Sequence, residues 1–210
     1  MEHEDIAELT LKRFQNQNKE QEKRNDYIGW TDYFMAMAFL AAKRSKDPNF
    51  QVGACIVNKE NVIVGIGYNG MPRGCNDDVF PWGKNSPSPL NNKLLYVCHA
   101  EMNAITNKNT GDVRGCTIYV GLFPCNECAK IIIQSGIKEV VYVSDKKSHK
   151  SKYIASKVMF KAAGVKYWQY VPKNKIIEIN FLENDDDLDT SNTTINQDLE
   201  TSFNSIKLSD

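Results

Sequence analysis

The 210-residue sequence lacks the features of several specialised protein classes. It has no run of about 18 or more apolar residues, which a membrane-spanning helix would need. Its acidic first residues, 1–5, lack the basic and then apolar profile of a signal peptide. No internal repeat is present. These absences argue against a repeat protein or a helical membrane protein, and we expect a cytoplasmic protein with no membrane partner.

A net charge is also lacking, because 26 Lys and Arg residues balance 26 Asp and Glu residues. The balance is uneven along the chain: residues 181–210 hold eight acids and one base, whereas residues 26–180 hold 20 bases and 12 acids. This basic surplus favours an anionic ligand, but it is far less dense than the surface of a duplex-binding protein. The acidic end would repel a phosphate backbone. We therefore expect a small anionic ligand and no nucleic-acid partner.

Composition divides the chain into three parts. Residues 1–25 are charged and rich in Gln and Asn, which predicts a mobile arm of partly helical character. Residues 181–210 are acidic and rich in Ser, Thr and Asn, which predicts a disordered tail. Residues 26–180 have the mixed composition of one globular domain, large enough to bury a core without disulfides.

Hydrophobic periodicity within this domain predicts alternating strands and helices. The predicted strands are short β-rich runs at 52–57, 62–67, 116–121, 138–143 and 166–171. The predicted helices have apolar residues at helical spacing and lie at 30–45, 99–107, 125–135 and 151–163. Two hairpin-joined strands followed by β-α-β-α-β units predict an α/β fold, in which one mixed five-stranded sheet is covered by helices on both faces.

Local signals predict where three of these helices begin or end. Thr31 or Asp32 is the expected N-cap of the first helix, because short polar side chains accept hydrogen bonds from free helix amides. Gly136 and Gly164 fall where the C-caps of two later helices are expected, because glycine tolerates positive φ.

Two short segments together supply one imidazole and two thiols. Residues 98–101 read Cys-His-Ala-Glu, and residues 124–128 read Pro-Cys-Asn-Glu-Cys. Three residues are nearly one helical turn, so Cys125 and Cys128 can point to the same side of a helix start. Nitrogen and sulfur ligands suit a tetrahedral zinc ion, and three protein ligands leave the fourth position open, as in catalytic sites. We predict one catalytic Zn²⁺ held by His99, Cys125 and Cys128.

Glu101 is the expected catalytic residue. It lies two residues after His99, too close to serve comfortably as a second ligand from the same turn. A carboxylate beside the open position can take a proton from water and deliver it to the ring nitrogen and the leaving amine.

Other interpretations of the cysteines are weaker. A redox C-x-x-C pair would not need His99 or Glu101, and a zinc ribbon would need a second C-x-x-C, which the sequence lacks. Cys98 as a fourth ligand would close the site, but adjacent residues on a forming helix point about 100° apart. Cys55 and Cys116 lie in apolar runs and are expected to pack in the core.

These motifs resemble a known family. A histidine, any residue and a glutamate, followed by P-C-x-x-C, is the signature of the zinc-dependent nucleobase deaminases. Three segments resemble deoxycytidylate (dCMP) deaminases of the eukaryotic type: residues 45–48 (Ser-Lys-Asp-Pro), 67–70 (Gly-Tyr-Asn-Gly) and 122–130. The resemblance covers about residues 27–180. It implies a three-layer α/β/α cytidine-deaminase-like fold and hydrolysis of dCMP to dUMP, which supplies dUMP for thymidylate synthesis.

The resemblance also implies residue roles. His99, Cys125 and Cys128 match the zinc ligands, Glu101 matches the proton shuttle, and Asn69 matches a residue that orients the nucleoside through its sugar. Residues Gly67, Tyr68, Asn69 and Gly70 match a regulatory nucleotide site, where dCTP activates and dTTP inhibits, with Mg²⁺ accompanying the triphosphate. Members are commonly homohexamers.

Two further residues are candidate substrate contacts. Ser45 opens the first segment of the resemblance. Lys146 follows the strand predicted at 138–143, at the sheet edge where ligands gather, and is a candidate for the 5′-phosphate.

Two competing functions remain open at this point. A deaminase of polynucleotides would need a basic track interleaved with exposed aromatic residues, which the dispersed charge does not favour. A zinc-stabilised interaction module without catalysis would have no use for Glu101.

Overall fold

A computed structural model describes residues 6–16, 23–173 and 175–181 of the chain. The predicted tail from 182 onward lies outside these residues, as do 1–5 and 17–22 of the predicted arm. Contacts divide the chain into one compact unit that ends at Pro172 and a second that begins at Lys173. The first unit contains every helix and strand given below. No helix in the described residues is long and apolar enough to cross a membrane.

The described residues form five α-helices and five strands, and all of them except the first helix lie close to predicted positions. The helices are α1 (Ile6–Asn16), α2 (Trp30–Ala42), α3 (Ala100–Thr106), α4 (Asn126–Gln134) and α5 (Ser151–Ala162). The strands are β1 (Gly53–Val57), β2 (Ile63–Tyr68), β3 (Thr117–Leu122), β4 (Glu139–Ser144) and β5 (Lys166–Gln169). Two short 3₁₀ turns, Pro89–Asn91 and Lys93–Leu95, interrupt the long connection between β2 and α3.

The strands form one mixed sheet in the order β2-β1-β3-β4-β5. β1 runs antiparallel to both β2 and β3, whereas β3, β4 and β5 are parallel. This confirms the predicted five-stranded sheet. Because α4 and α5 connect parallel strands, the carboxyl ends of β3 and β4 meet at the same edge.

Side chains from alternate positions of each strand build two cores, one on each face of the sheet. Ile56 and Val120 belong to the core shared with α3, α4 and α5. Cys55 and Tyr119, their neighbours in sequence, belong to the core that Phe34 of α2 covers on the other face. This alternation has the period of two that a strand imposes. Both faces of the central strands are therefore buried, which confirms the three-layer architecture.

The ends of the helices confirm one prediction and correct another. Gly136 and Gly164 lie one residue after the C-caps Ser135 and Ala163, with φ of 84° and 64°, and so end the helices in the left-handed conformation for which glycine was predicted. The prediction that Thr31 or Asp32 caps α2 is wrong, because the N-cap is Gly29 and the helix already begins at Trp30. Asp32 lies instead in the first turn, where its carboxylate accepts a hydrogen bond from the Tyr170 hydroxyl.

Candidate metal centre

The N-termini of α3 and α4 bring the three predicted metal ligands together. His99 is the N-cap residue of α3, Cys125 is the N-cap residue of α4, and Cys128 lies in the first turn of α4. Neither cap side chain bonds to a helix amide. His99 Nδ1 lies 3.2 Å from Cys128 Sγ and 3.4 Å from Cys125 Sγ. All three ligand atoms lie within 4.8 Å of one another, and no other group of His, Cys, Asp or Glu in the described residues has this geometry.

This group fits zinc in composition and spacing. Zinc bonds of about 2.0–2.3 Å place tetrahedral ligand atoms roughly 3.3–3.8 Å apart, close to the His99 separations above. Both sulfurs are buried, with Cys125 6% and Cys128 2% exposed. Cys98 is not part of the group: its N–H and C=O pair with Gly70 across an isolated β-bridge. Cys55 and Cys116 are buried, as expected. A zinc ion held by these three residues would keep its fourth position open.

The surroundings favour the ionised form of one thiol. A hydrogen bond from Cys128, joined by one from His99, lowers the pKa of Cys125 to about 3 in spite of burial. The same contact with Cys125 raises the pKa of His99. The partial positive charge at the start of α4 favours a thiolate further. These contacts favour the thiolate form of Cys125, which is the form that binds a metal.

Glu101 lies in the first turn of α3 beside these ligands. Its side chain is buried, with 5% exposure. Burial raises the pKa of the Glu101 carboxyl, and the nearby His99 opposes this effect. A carboxyl group with a raised pKa binds a proton more readily than an exposed one, which suits a group that takes protons during a reaction.

A cavity of about 130 Å³ opens onto this group. His99, Glu101 and Cys125 line one part of its wall, and Phe50 and Asn69 line another. Glu101 is therefore a cavity carboxyl on the same part of the wall as two of the predicted metal ligands.

Asn69 lines the cavity and is held by the segment before β1. Its Oδ1 accepts a hydrogen bond from Val52 N–H at 2.8 Å, and its Nδ2 donates to the Phe50 carbonyl at 3.1 Å and to Asp47 at 3.3 Å. Ser45 donates from its hydroxyl to the Asn69 carbonyl at 2.8 Å and is not among the residues that line the cavity. Asn69 thus faces the cavity. Ser45, predicted as a substrate contact, lies outside the cavity and hydrogen-bonds to the Asn69 backbone instead.

Lys146 lies outside this cavity. Its Nζ is 4.2 Å from the centre of the Phe50 ring, and it lines a neighbouring depression instead. Its sequence neighbour Lys147 lines the cavity, together with Lys84 and Lys152.

The segment Gly67–Gly70 contains two glycines, and neither takes a positive φ. The segment stays extended at the end of β2, and Gly70 pairs with Cys98. Gly67 is needed for packing, because an added Cβ would lie 2.2 Å from Ala104 N of α3. Close contact between β2 and the helix that carries Glu101 therefore depends on this glycine.

A buried ion pair in the cavity wall has no signal in the sequence. Lys93 and Asp47 are 2% and 4% exposed, and the Lys93 ammonium donates to the Asp47 carboxylate. Asp47 also accepts the N–H groups of Asn49 and Phe50. Burial raises the pKa of Asp47, but these hydrogen bonds outweigh it and lower the pKa below its ordinary value. The pair is separated by 46 residues, so only the fold brings it together.

We expect Lys93→Met to lower the free energy of unfolding by about 3–5 kcal/mol, because it leaves the buried Asp47 carboxylate without its partner charge. Urea denaturation would measure the change. Lys46→Met is the matched control, since it breaks an ion pair with Asp77 in which Lys46 is 64% exposed, and it should cost at most about 1 kcal/mol. Equal stabilities of the two variants would show that the buried pair contributes no more than the exposed one.

Comparison with known proteins places these features in a family. The family model described as the cytidine and deoxycytidylate deaminase zinc-binding region matches residues 28–144. The human protein named deoxycytidylate deaminase is 60% identical over 159 residues, which cover 76% of this chain and 89% of that protein. The probable deoxycytidylate deaminase of Drosophila melanogaster is 54% identical over 171 residues, covering 79% and 84%.

A solved structure has the same fold. It is the dCMP deaminase of cyanophage S-TIM5 in complex with dCMP and dUMP, with a TM-score of 0.54 and 24% identity. The match covers 71% of this chain and 100% of that one.

Proposed function

This chain is a member of the cytidine and deoxycytidylate deaminase zinc-binding family, and from its site we propose that it hydrolyses dCMP to dUMP and ammonia. The observation that carries the proposal is the group His99, Cys125 and Cys128 beside the buried carboxyl of Glu101 in one cavity. A structural zinc has no use for an unliganded carboxyl at this position. The human relative named deoxycytidylate deaminase supports dCMP as the substrate.

His99, Cys125 and Cys128 would hold the zinc, whose Lewis acidity lowers the pKa of water toward neutrality. Glu101 takes one proton from the attacking water as the water oxygen bonds to C4 of the cytosine, and it delivers this proton to N3. The same carboxyl then takes the remaining proton from the new C4 hydroxyl and delivers it to the amino group, which leaves as ammonia while the C4 carbonyl forms. Asn69, fixed by Val52, Phe50 and Asp47, orients the sugar so that C4 meets Glu101.

A spectrophotometric assay that compares dCMP, CMP, deoxycytidine and single-stranded DNA tests this proposal. We expect dCMP to be the preferred substrate. Turnover of the oligonucleotide without turnover of dCMP would favour a polynucleotide deaminase. Zinc binding without any deamination would favour an interaction module.

Regulation is a further part of the proposal: dCTP, carried with Mg²⁺, activates the enzyme and dTTP inhibits it. A second cavity, of about 600 Å³, is lined by Tyr68, Gly70, Cys98 and Asn103 among others. Gly70 exchanges two hydrogen bonds with Cys98, at 2.9 and 3.1 Å, and Cys98 immediately precedes the ligand His99. Asn69 lies between Tyr68 and Gly70 and lines the catalytic cavity. A nucleotide in the second cavity would therefore contact the sequence neighbours of two residues of the catalytic cavity, His99 and Asn69.

Assembly into a homohexamer belongs to the same proposal. Helix α2 exposes several large apolar side chains, including Trp30 at 60%, Phe39 at 48% and Leu40 at 49%. Apolar side chains grouped on one helix favour contact with another copy of the chain. Such contacts would let one subunit's effector influence another's site.

We expect sigmoidal saturation by dCMP that becomes hyperbolic with dCTP and is suppressed by dTTP, because each effector must bind one of two states more tightly. Gly70→Val should blunt both responses more than it reduces turnover at saturating dCMP. An added Cβ at Gly70 meets only Tyr68 Cε2 at 3.9 Å, so the variant should fold. Initial rates across dCMP concentrations, with and without each triphosphate, measure the effect.

Gly111→Val is the matched control, because Gly111 has open space around it and lies outside the second cavity. Hyperbolic kinetics that neither triphosphate changes would contradict the regulatory role of this cavity and leave the zinc chemistry unaffected.

A further inference from the structure

The side-chain amide of Asn69 has most of its hydrogen-bonding capacity filled by the protein. Its Nδ2 carries two hydrogens, and both are donated, one to the Phe50 carbonyl at 3.1 Å and one to Asp47 Oδ2 at 3.3 Å. Its Oδ1 has two lone pairs, and one of them accepts the Val52 N–H at 2.8 Å. Within the described residues, the capacity that remains is one lone pair on Oδ1, which can only accept a hydrogen bond.

The direction of this amide is fixed by the groups around it. Turning it over would set Nδ2 against the Val52 N–H, and Oδ1 against the Phe50 carbonyl and the Asp47 carboxylate. Donors that face donors, and acceptors that face acceptors, repel and leave buried polar groups unpaired. An ionised carboxylate has acceptors only, so Asp47 admits the Nδ2 end of the amide and leaves Oδ1 available to a ligand.

Lys93 supports Asp47 in this role. The Lys93 ammonium donates to Asp47 Oδ1, and the two residues are 2% and 4% exposed. Burial raises the pKa of Asp47, but the hydrogen bonds from Lys93, Asn49 and Phe50 lower it below its ordinary value. The bonds from Asn49 and Phe50 also fold residues 47–50 into a turn, whose Phe50 carbonyl accepts the other Asn69 hydrogen. Asp47 therefore acts on Asn69 both directly and through this turn.

A ligand group that meets the free lone pair of Asn69 must donate a hydrogen bond. The sugar of dCMP has a single free hydroxyl, at C3′, because its 5′ oxygen is esterified and its C2′ carries no oxygen. This hydroxyl can donate to Oδ1, whereas a group with acceptors only would be repelled by it.

We propose that Lys93 and Asp47 are positioning residues, which hold the Asn69 amide with Oδ1 free and so make the catalytic cavity require a hydrogen-bond donor at C3′ of the substrate. The inference rests on the proposed deaminase function. It adds to that function two residues that act on sugar recognition through Asn69 and take no part in the proton transfer.

Analogues of dCMP changed only at C3′ test the donor requirement in the wild-type protein. The 3′-fluoro analogue cannot donate, and its kcat/KM should be about 10- to 100-fold below that of dCMP. The 3′-amino analogue keeps an N–H donor at the same position, so its kcat/KM should fall by at most about fivefold.

Lys93→Met and Asp47→Asn test whether these two residues impose the requirement. At a temperature at which each variant is folded, kcat/KM for dCMP should fall by about tenfold and that for the 3′-fluoro analogue by no more than about twofold. A purely structural defect would lower both values equally. Lys46→Met is the control, because it breaks the exposed ion pair with Asp77 and should keep the wild-type preference for dCMP.

The variant that combines Asp47→Asn with Lys93→Met keeps the test independent of an unpaired buried charge. It removes both charges of the pair, so it should be more stable than Lys93→Met and should still lack the preference for dCMP over the 3′-fluoro analogue. Equal losses for the two substrates in this variant would overturn the inference.

Two further outcomes separate the inference from the proposed function. Equal kcat/KM values for dCMP and its 3′-fluoro analogue in the wild type would overturn the inference and leave the deaminase function intact. A wild type that turns over no cytosine nucleotide would refute the proposed function. Calorimetry with dUMP and 3′-fluoro dUMP needs no turnover, and equal Kd values for these two ligands would overturn the inference in that case as well.

Discussion

Replacing Glu101 with Gln is expected to reduce dCMP turnover by about 10²- to 10⁴-fold, because an amide cannot accept and return the proton. The variant keeps the shape of the side chain and should keep the fold. It also removes a carboxyl whose pKa is raised by burial, so the free energy of unfolding should not fall. Because His99, Cys125 and Cys128 are unchanged, zinc content should stay equal to that of the wild type.

Three measurements on the same preparation test this expectation: turnover, metal content and urea denaturation. Glu127→Gln is a matched control, since Glu127 lies between the two cysteine ligands in sequence but has a 63% exposed side chain paired with Lys130. It should retain nearly full turnover. Activity of Glu101→Gln within about tenfold of the wild type would show that another group moves the proton.

Removal of the metal is expected to abolish deamination and to lower stability. The ligands lie at the starts of α3 and α4, and both helices contribute to the larger buried core. Metal that binds only the folded chain adds its binding free energy to folding, about 4 kcal/mol at a zinc concentration a thousand times Kd. Cys125→Ala and Cys128→Ala should therefore lose bound zinc and activity together and melt at lower temperature.

The effect can be measured by metal analysis, activity and thermal melting, before and after chelation and after zinc is restored. Cys116→Ala serves as the control, because Cys116 is also buried but packs in the core without joining the ligand group. That variant should keep its zinc even if its melting temperature falls. An active preparation free of metal would rule out the zinc chemistry.

Local periodicity explains why the architecture could be predicted from the sequence. Strands β1 and β3 lie within one residue of their predicted starts and ends, and α4 and α5 within one residue as well. The prediction of one mixed sheet then followed from the order of elements and the right-handed connection of parallel strands. Finer details of local conformation were less accessible: Gly29, and not Thr31 or Asp32, caps α2, and the close packing of Gly67 against α3 has no local signal.

The metal ligands could be predicted for the same local reason. Cys125 and Cys128 are three residues apart at a helix start, and Glu101 follows His99 by two, so backbone geometry within one helical turn orients each group. The resemblance to a known family added Asn69, whose position in the cavity agrees with a ligand contact. The meeting of His99 with Cys125 across 26 residues is supplied by the fold, which places the starts of α3 and α4 side by side.

The rest of the cavity wall was decided only by tertiary structure. Lys93 meets Asp47 across 46 residues, and Lys84 approaches Lys147 and Lys152 from a connection with little regular structure. The choice between Lys146 and Lys147 depends on which neighbour turns toward Glu101. Lys146 and Lys147 lie in a loop, where no regular periodicity predicts the direction of each side chain. Both approach the Phe50 ring, and only the folded structure shows that they line different cavities. The sequence alone therefore determined the chemistry at the helix starts, whereas the packing of distant loops determined which charges face the substrate.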